Sequence, residues 1–149
     1  MDLPTLSSEV RAALVAEAHQ SSLVVLAHAF SHEDTLQVLS SGVDGTAHTI
    51  LDQPPTDELV EAFRVKDAFC TPTLTVIGSS TTEGREMQEK YARDPRVQDL
   101  LAEGGREKMC ECLSFTKVDG GSLRNATDTI RSLKMAGVDI LWYELLQIS

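Results

Sequence analysis

His28 and His48 are the residues of this sequence best placed to do chemistry. Each closes a short run suited to a β-strand: Leu23-Val24-Val25-Leu26-Ala27-His28 and Val43-Asp44-Gly45-Thr46-Ala47-His48. Neutral imidazole is the commonest zinc ligand, and two imidazoles at the ends of adjacent parallel strands can converge on one ion. A hydrolytic zinc site takes about three protein ligands and keeps one position open, so two histidines supply only part of it. A strand-end histidine is also often a hydrogen-bonded loop or core residue, and spacing alone leaves both readings open. His19 falls inside the first expected helix and His32 in the first turn of the second, and both read as surface residues. Cys110 and Cys112 form a C-x-C pair, but without a second pair the zinc signal is weak. Type and spacing alone mark no residue as catalytic.

The elements that would position these histidines alternate in kind. Ser7 fits an N-cap for a helix over residues 7–19, with Glu9 at its start and Val10, Ala13, Leu14 and Ala18 on one face. Residues 23–28 are apolar on both faces, as a parallel strand covered by helices must be. Ser31 caps a second helix, with Asp34 in the capping-box place, Leu36 and Leu39 turned inward and Gly42 as the stop. A strand over 43–48 follows. Pro54-Pro55 breaks the chain, and Thr56 caps a third helix carrying Leu59, Val60 and Phe63. Residues 69–74 read as a third strand, with Pro72 near its end, where a missing ladder donor matters least.

The charged segment 83–113, broken at Asp94-Pro95, suggests two inserted helices. Ser122 caps a last helix with Leu123, Ala126, Ile130 and Leu133 at helical spacing. Gly137 ends it, and residues 138–141 begin a fourth strand. Strands alternating with helices argue an α/β fold with a parallel sheet and right-handed crossovers. In such folds the C-terminal strand ends form the functional face. A barrel sector and an open doubly wound sheet both satisfy the pattern.

Composition excludes some partners. The sequence is 42% hydrophobic and 24% charged, the balance of a folded protein. A net charge of -10 repels nucleic acid, so no nucleic-acid partner is expected. The longest apolar run, residues 23–27, is too short to cross a bilayer, so no membrane partner is expected either. Three cysteines with no export signal read as reduced thiols in a cytoplasmic protein.

Several runs, in order, carry a family resemblance. They are Leu26-Ala27-His28-Ala29-Phe30, then Ser40-Ser41-Gly42-Val43-Asp44-Gly45-Thr46-Ala47-His48, then Thr71-Pro72-Thr73-Leu74, and finally Leu133 through Gly137-Val138-Asp139-Ile140-Leu141. Together they resemble the amidohydrolase superfamily, in its imidazolonepropionase-like and prolidase-like metal-dependent branch. Its strand-five motif is similar to A-H-A, its strand-six motif to G-V-D-x-x-x-H, and its strand seven carries P-T-L.

The resemblance implies a partial TIM-type (β/α) barrel, strands five to eight with their helices, forming one amidohydrolase-related domain over residues 1–149. It implies that His28 and His48 are metal ligands, and that Thr71, Pro72 and Thr73 hold structural or substrate-side positions. The implied chemistry is hydrolysis of amide or cyclic-amide C–N bonds of a small molecule, with a divalent metal, zinc by preference.

The sequence departs from the family's pattern in two places. It contains no H-x-H pair and no counterpart of the bridging lysine. Where strand eight of the family carries an aspartate, this sequence has Leu145, with Glu144 one residue short of it. Side chains alternate faces along a strand, so that offset turns Glu144 away from the site. The expectation is a domain truncated at both ends, with zinc bound weakly and activity impaired or absent. Its expected partners are a small-molecule substrate, if active, and a second barrel half or another copy of itself. The rival expectation is a non-catalytic α/β partner-binding domain derived from the same barrel, or an open α/β module with structural histidines.

Overall fold

Three short parallel strands lie side by side in chain order: β1 (Leu26–His28), β2 (Gly45–Ala47) and β3 (Phe69–Thr71). The computed structural model describes residues 6–110 and 121–142. In register, Leu26 lies opposite Gly45, which lies opposite Phe69; His28 lies opposite Ala47, which lies opposite Thr71. Residues 138–141 extend the ladder beyond β3. The Cys70 N–H donates to the Asp139 carbonyl, and the Leu141 N–H donates to the Cys70 carbonyl, each at 2.9 Å. Ile140 and Cys70 form a single parallel bridge there.

Helices connect the strands. They are α1 (Ser8–Gln20), α2 (His32–Ser40), α3 (Asp57–Lys66), α4 (Leu74–Gly78), α5 (Thr82–Ala92), α6 (Pro95–Gln98), α7 (Gly105–Cys110) and α8 (Leu123–Met135). The capping expectations hold at Ser7, Ser31, Thr56 and Ser122, whose hydroxyls each accept a helix N–H. Ser31 also donates to the Asp34 carboxylate at 2.7 Å, a reciprocal cap. The main core lies between the helices and one face of the sheet. It gathers Val15, Val38, Leu39, Leu59, Phe63, Cys70 and Leu133. Burying side chains such as Leu59 and Phe63 contributes about 1.5–3 kcal/mol each.

Alternation along the first strand separates two environments. Val25 and Ala27 pack against the core. Val24 and Leu26, on the other face, are 72% and 41% exposed. Two glycines are required by close approach. A Cβ on Gly45 would fall 2.5 Å from the Phe69 ring, and one on Gly84 would overlap the Gly78 carbonyl where α4 meets α5.

The structure corrects several boundaries. The first strand begins at Leu26 and not Leu23: the Leu23 N–H turns back to the Ala18 carbonyl, and only the Val25 carbonyl, which accepts the Asp44 N–H at 3.0 Å, reaches across ahead of the register. His48 follows β2 and is not part of it. The third strand stops at Thr71: Pro72 offers no N–H, Thr73 turns left-handed at φ 45°, and Leu74 opens α4 instead of continuing the strand. On α1 the buried residue is Val15, while Val10, Ala13 and Leu14 face outward, so the inward stripe is rotated from the expected one. The segment expected to hold two helices holds α5, α6 and α7 among its described residues. The expectations at Cys112, Glu144 and Leu145 lie outside the described residues.

Candidate functional site

Adjacent parallel strands deliver His28 and His48 to the same end of the sheet. His28 is the last residue of β1, and His48 comes directly after β2. The His48 N–H donates to the Thr71 carbonyl at 2.8 Å, which ties it to β3 as well. Its backbone is left-handed, at φ 80°. That conformation swings the imidazole toward the neighbouring strand, and His28 Nδ1 and His48 Nε2 meet at 2.8 Å.

Two further contacts hold the His48 ring. Phe30 stacks on it, with centroids 4.4 Å apart and planes 16° apart. Its Nδ1 is hydrogen-bonded to the Thr73 hydroxyl. Thr73 is also left-handed, and such backbone departures cost about 1–3 kcal/mol each. His48 is buried, whereas His28 is exposed. Burial, and then the nearby His28, lower the His48 pKa to about 4, so it is neutral at pH 7 and has a lone pair to offer. Thr49, the next residue, carries a buried hydroxyl that meets no hydrogen-bond partner.

Two imidazole nitrogens that meet at 2.8 Å are placed to share a divalent cation if the rings part. Tetrahedral zinc at 2.0–2.1 Å from each would hold them about 3.3 Å apart. The rings would therefore part by roughly 0.5 Å from their present hydrogen-bonding distance. The pair fits as two ligands. Among the described residues, no group of three or more His, Cys, Asp or Glu side chains is placed to hold a metal.

The other histidines lie elsewhere. His19 is exposed and paired with Asp44 at 3.0 Å. His32, expected at the surface, is half-buried. Its N–H donates to both Asp52 oxygens at 3.1 Å, and its Nε2 is 2.8 Å from the Thr56 hydroxyl. It ties the start of α2 to the cap of α3.

Sequence reasoning missed the aromatic partner. Phe30 lies two residues after His28 in the Ala27-His28-Ala29-Phe30 run, and that position is the available signal. Thr73 was placed on the structural or substrate side, and its bond to His48 had no sequence signature. Beside Thr73 opens a cavity of about 220 Å³, lined by Thr71, Pro72, Leu74, Leu141 and Trp142 among others, with no charged group among its described lining residues.

No protein-family model and no curated protein matches the sequence. Solved structures do match the fold. A Xaa-Pro dipeptidase with methionine bound in its active site is 18% identical at a TM-score of 0.53; the match covers 93% of this chain and 28% of that one. A prolidase complexed with N-methylphosphonate-L-proline is 17% identical at a TM-score of 0.57, with the same coverages. An amidohydrolase is 24% identical at a TM-score of 0.54, covering 92% of this chain and 27% of that one. The chain thus has the fold of a section of these structures and spans little more than a quarter of their length. No helix among the described residues is long and apolar enough to cross a membrane.

Proposed function

We propose that the chain is the part of a metal-dependent amidohydrolase barrel that spans strands five to eight, with His28 and His48 as two ligands of a divalent ion, zinc by preference. The observation that carries this reading is the 2.8 Å meeting of His28 Nδ1 and His48 Nε2 at the ends of adjacent parallel strands. When bound, such an ion polarises a carbonyl and lowers the pKa of a bound water, for hydrolysis of an amide or cyclic-amide C–N bond. The chain's own contribution is to present the two nitrogens and to hold the His48 ring by Phe30 and Thr73. The cavity beside Thr73, lined among the described residues by apolar and hydroxyl side chains, suits a neutral, partly apolar portion of a small substrate.

By itself this chain binds zinc weakly, because two imidazoles leave the coordination incomplete. It turns over substrate at trace rates, since its sequence places Leu145 at the family's base position and a general base contributes roughly 10²–10⁴-fold. Calorimetric titration of zinc into wild type and the His28→Ala/His48→Ala double variant tests the reading. Weak binding abolished in the double variant supports it, and equal binding in both proteins refutes it.

One observation favours the second reading, a partner-binding domain derived from the barrel. Leu6, Leu14, Leu23, Val24 and Leu26 are all more than 40% exposed along α1 and β1. Contiguous apolar surface of this kind marks interaction sites. The partner would be a second barrel half or another copy of this chain.

A further inference from the structure

Thr73 is the exception among the described helix caps that carry a hydroxyl or carboxylate side chain. Ser7, Ser31, Thr56, Thr81, Asp94 and Ser122 each accept a backbone N–H from the helix they head. Thr73 heads α4 and accepts none. Its backbone sits at φ 45°, a region that β-branched residues rarely enter. Its hydroxyl reaches His48 Nδ1 instead, and His48 is left-handed too. Two unfavourable backbone conformations, far apart in sequence, meet in a single side-chain contact. Such conformations persist where the surroundings over-determine them, and they cluster at functional sites.

We propose that Thr73 is the positioning residue for His48: its hydroxyl accepts the Nδ1–H and leaves the Nε2 lone pair directed at His28 Nδ1. A neutral imidazole carries one N–H, and the hydrogen bond at one nitrogen decides which nitrogen holds it. No helix N–H claims the Thr73 lone pairs, so they are available to Nδ1–H. Nε2 then stays bare. In the metal-free chain it accepts from His28 Nδ1–H across 2.8 Å, and exposed His28 is free to hold its proton there. With a divalent ion present, the same lone pair is already aimed. Phe30 packs on the ring face, while Thr73 fixes rotation within the ring plane. The inference rests on the metal-binding reading for its purpose, but the tautomer belongs to the metal-free chain.

The test compares wild type with Thr73→Ser, Thr73→Val and Thr73→Gly. Valine removes the hydroxyl and keeps the strain, whereas glycine removes both, so comparing Thr73→Val with Thr73→Gly separates lost strain from a lost hydrogen bond. Long-range ¹⁵N–¹H spectra of the metal-free proteins read the His48 tautomer. Wild type and Thr73→Ser should hold the proton on Nδ1, and the valine and glycine variants should lose that preference. Zinc calorimetry follows. Second-shell losses cost about 10–100-fold in metal affinity, expected in Thr73→Gly and absent in Thr73→Ser. A wild-type His48 protonated on Nε2, or one tautomer shared by all the proteins, would overturn the proposal. Equal, measurable zinc affinity in the serine and glycine variants would also overturn it. A wild type that shows the expected tautomers and takes up no zinc supports the role of Thr73 and refutes the metal-binding reading.

Discussion

Replacing Asp44 with alanine should loosen the start of the sheet, by an amount that depends on pH. Asp44 precedes β2, and its carboxylate accepts the Val25 N–H at 2.6 Å and lies 3.0 Å from His19 Nε2. One residue thereby joins the entry of β1, the start of β2 and the last turn of α1. A hydrogen bond to a charged group contributes about 1.5–3 kcal/mol. The Asp44 side chain is 37% exposed, so solvent screening moves the Val25 bond to the low end of that range. The His19 pair, exposed on both sides, adds no more than about 0.5 kcal/mol. Asp44→Ala should then cost about 1.5–2 kcal/mol at pH 7, a fall of roughly 5 °C in Tm for a domain of this size.

The sign with pH follows from the Val25 bond and the His19 bond, which lower the folded-state pKa of Asp44 below its ordinary value. Stability from a lowered carboxylate pKa is fully present above the unfolded value, near 3.8, and is lost as pH falls through the folded value. Urea unfolding of both proteins at a series of pH values checks this. The gap should persist at pH 5 and close as pH falls below about 4. A variant as stable as wild type at pH 7, or a gap unchanged at pH 3, would refute the reasoning.

Three further outcomes are expected. Gly84→Ala should destabilise by about 1–3 kcal/mol in urea unfolding, because its Cβ would meet the rigid Gly78 backbone and not a mobile side chain. Cys70 is fully buried, and burial pushes its thiol up to about 11. In a Cys110→Ser/Cys112→Ser background it should therefore resist aromatic disulfide reagents in the folded protein and react at once in denaturant. The exposed apolar surface of α1 and β1 should make the chain self-associate on concentration, as light scattering over a dilution series would detect. Val24→Lys with Leu26→Lys should suppress that association, and a wild type monomeric at every concentration would contradict it.

Much of the scaffold was legible because it follows from local chemistry. Ser7, Ser31, Thr56 and Ser122 announced their helices, since a short hydroxyl side chain can satisfy orphan helix N–H groups without tertiary help. The parallel pairing of the strands followed from strand–helix alternation. Errors arose where a neighbour, and not the local sequence, decides the outcome. Leu23 and Val24 have strong strand character but no ladder partner, so β1 starts late. Which side of α1 turns inward depends on how it docks over Val38 and Val43, and its many alanines leave the stripe ambiguous. The meeting of His28 and His48 was foreseeable from their matching strand-end positions. The Thr73 contact was not, because it depends on a left-handed turn after Pro72 that a β-branched residue does not advertise.

Zinc titrated into ¹⁵N-labelled protein and followed at the imidazole nitrogens tests the central claim most directly. His28 Nδ1 and His48 Nε2 should shift together, at one stoichiometry and with one weak affinity, while the nitrogens of His19 and His32 stay in place. Shifts at His19 or His32 without His48, or no change at either His28 or His48 at millimolar zinc, would contradict the assignment of this histidine pair as a metal centre.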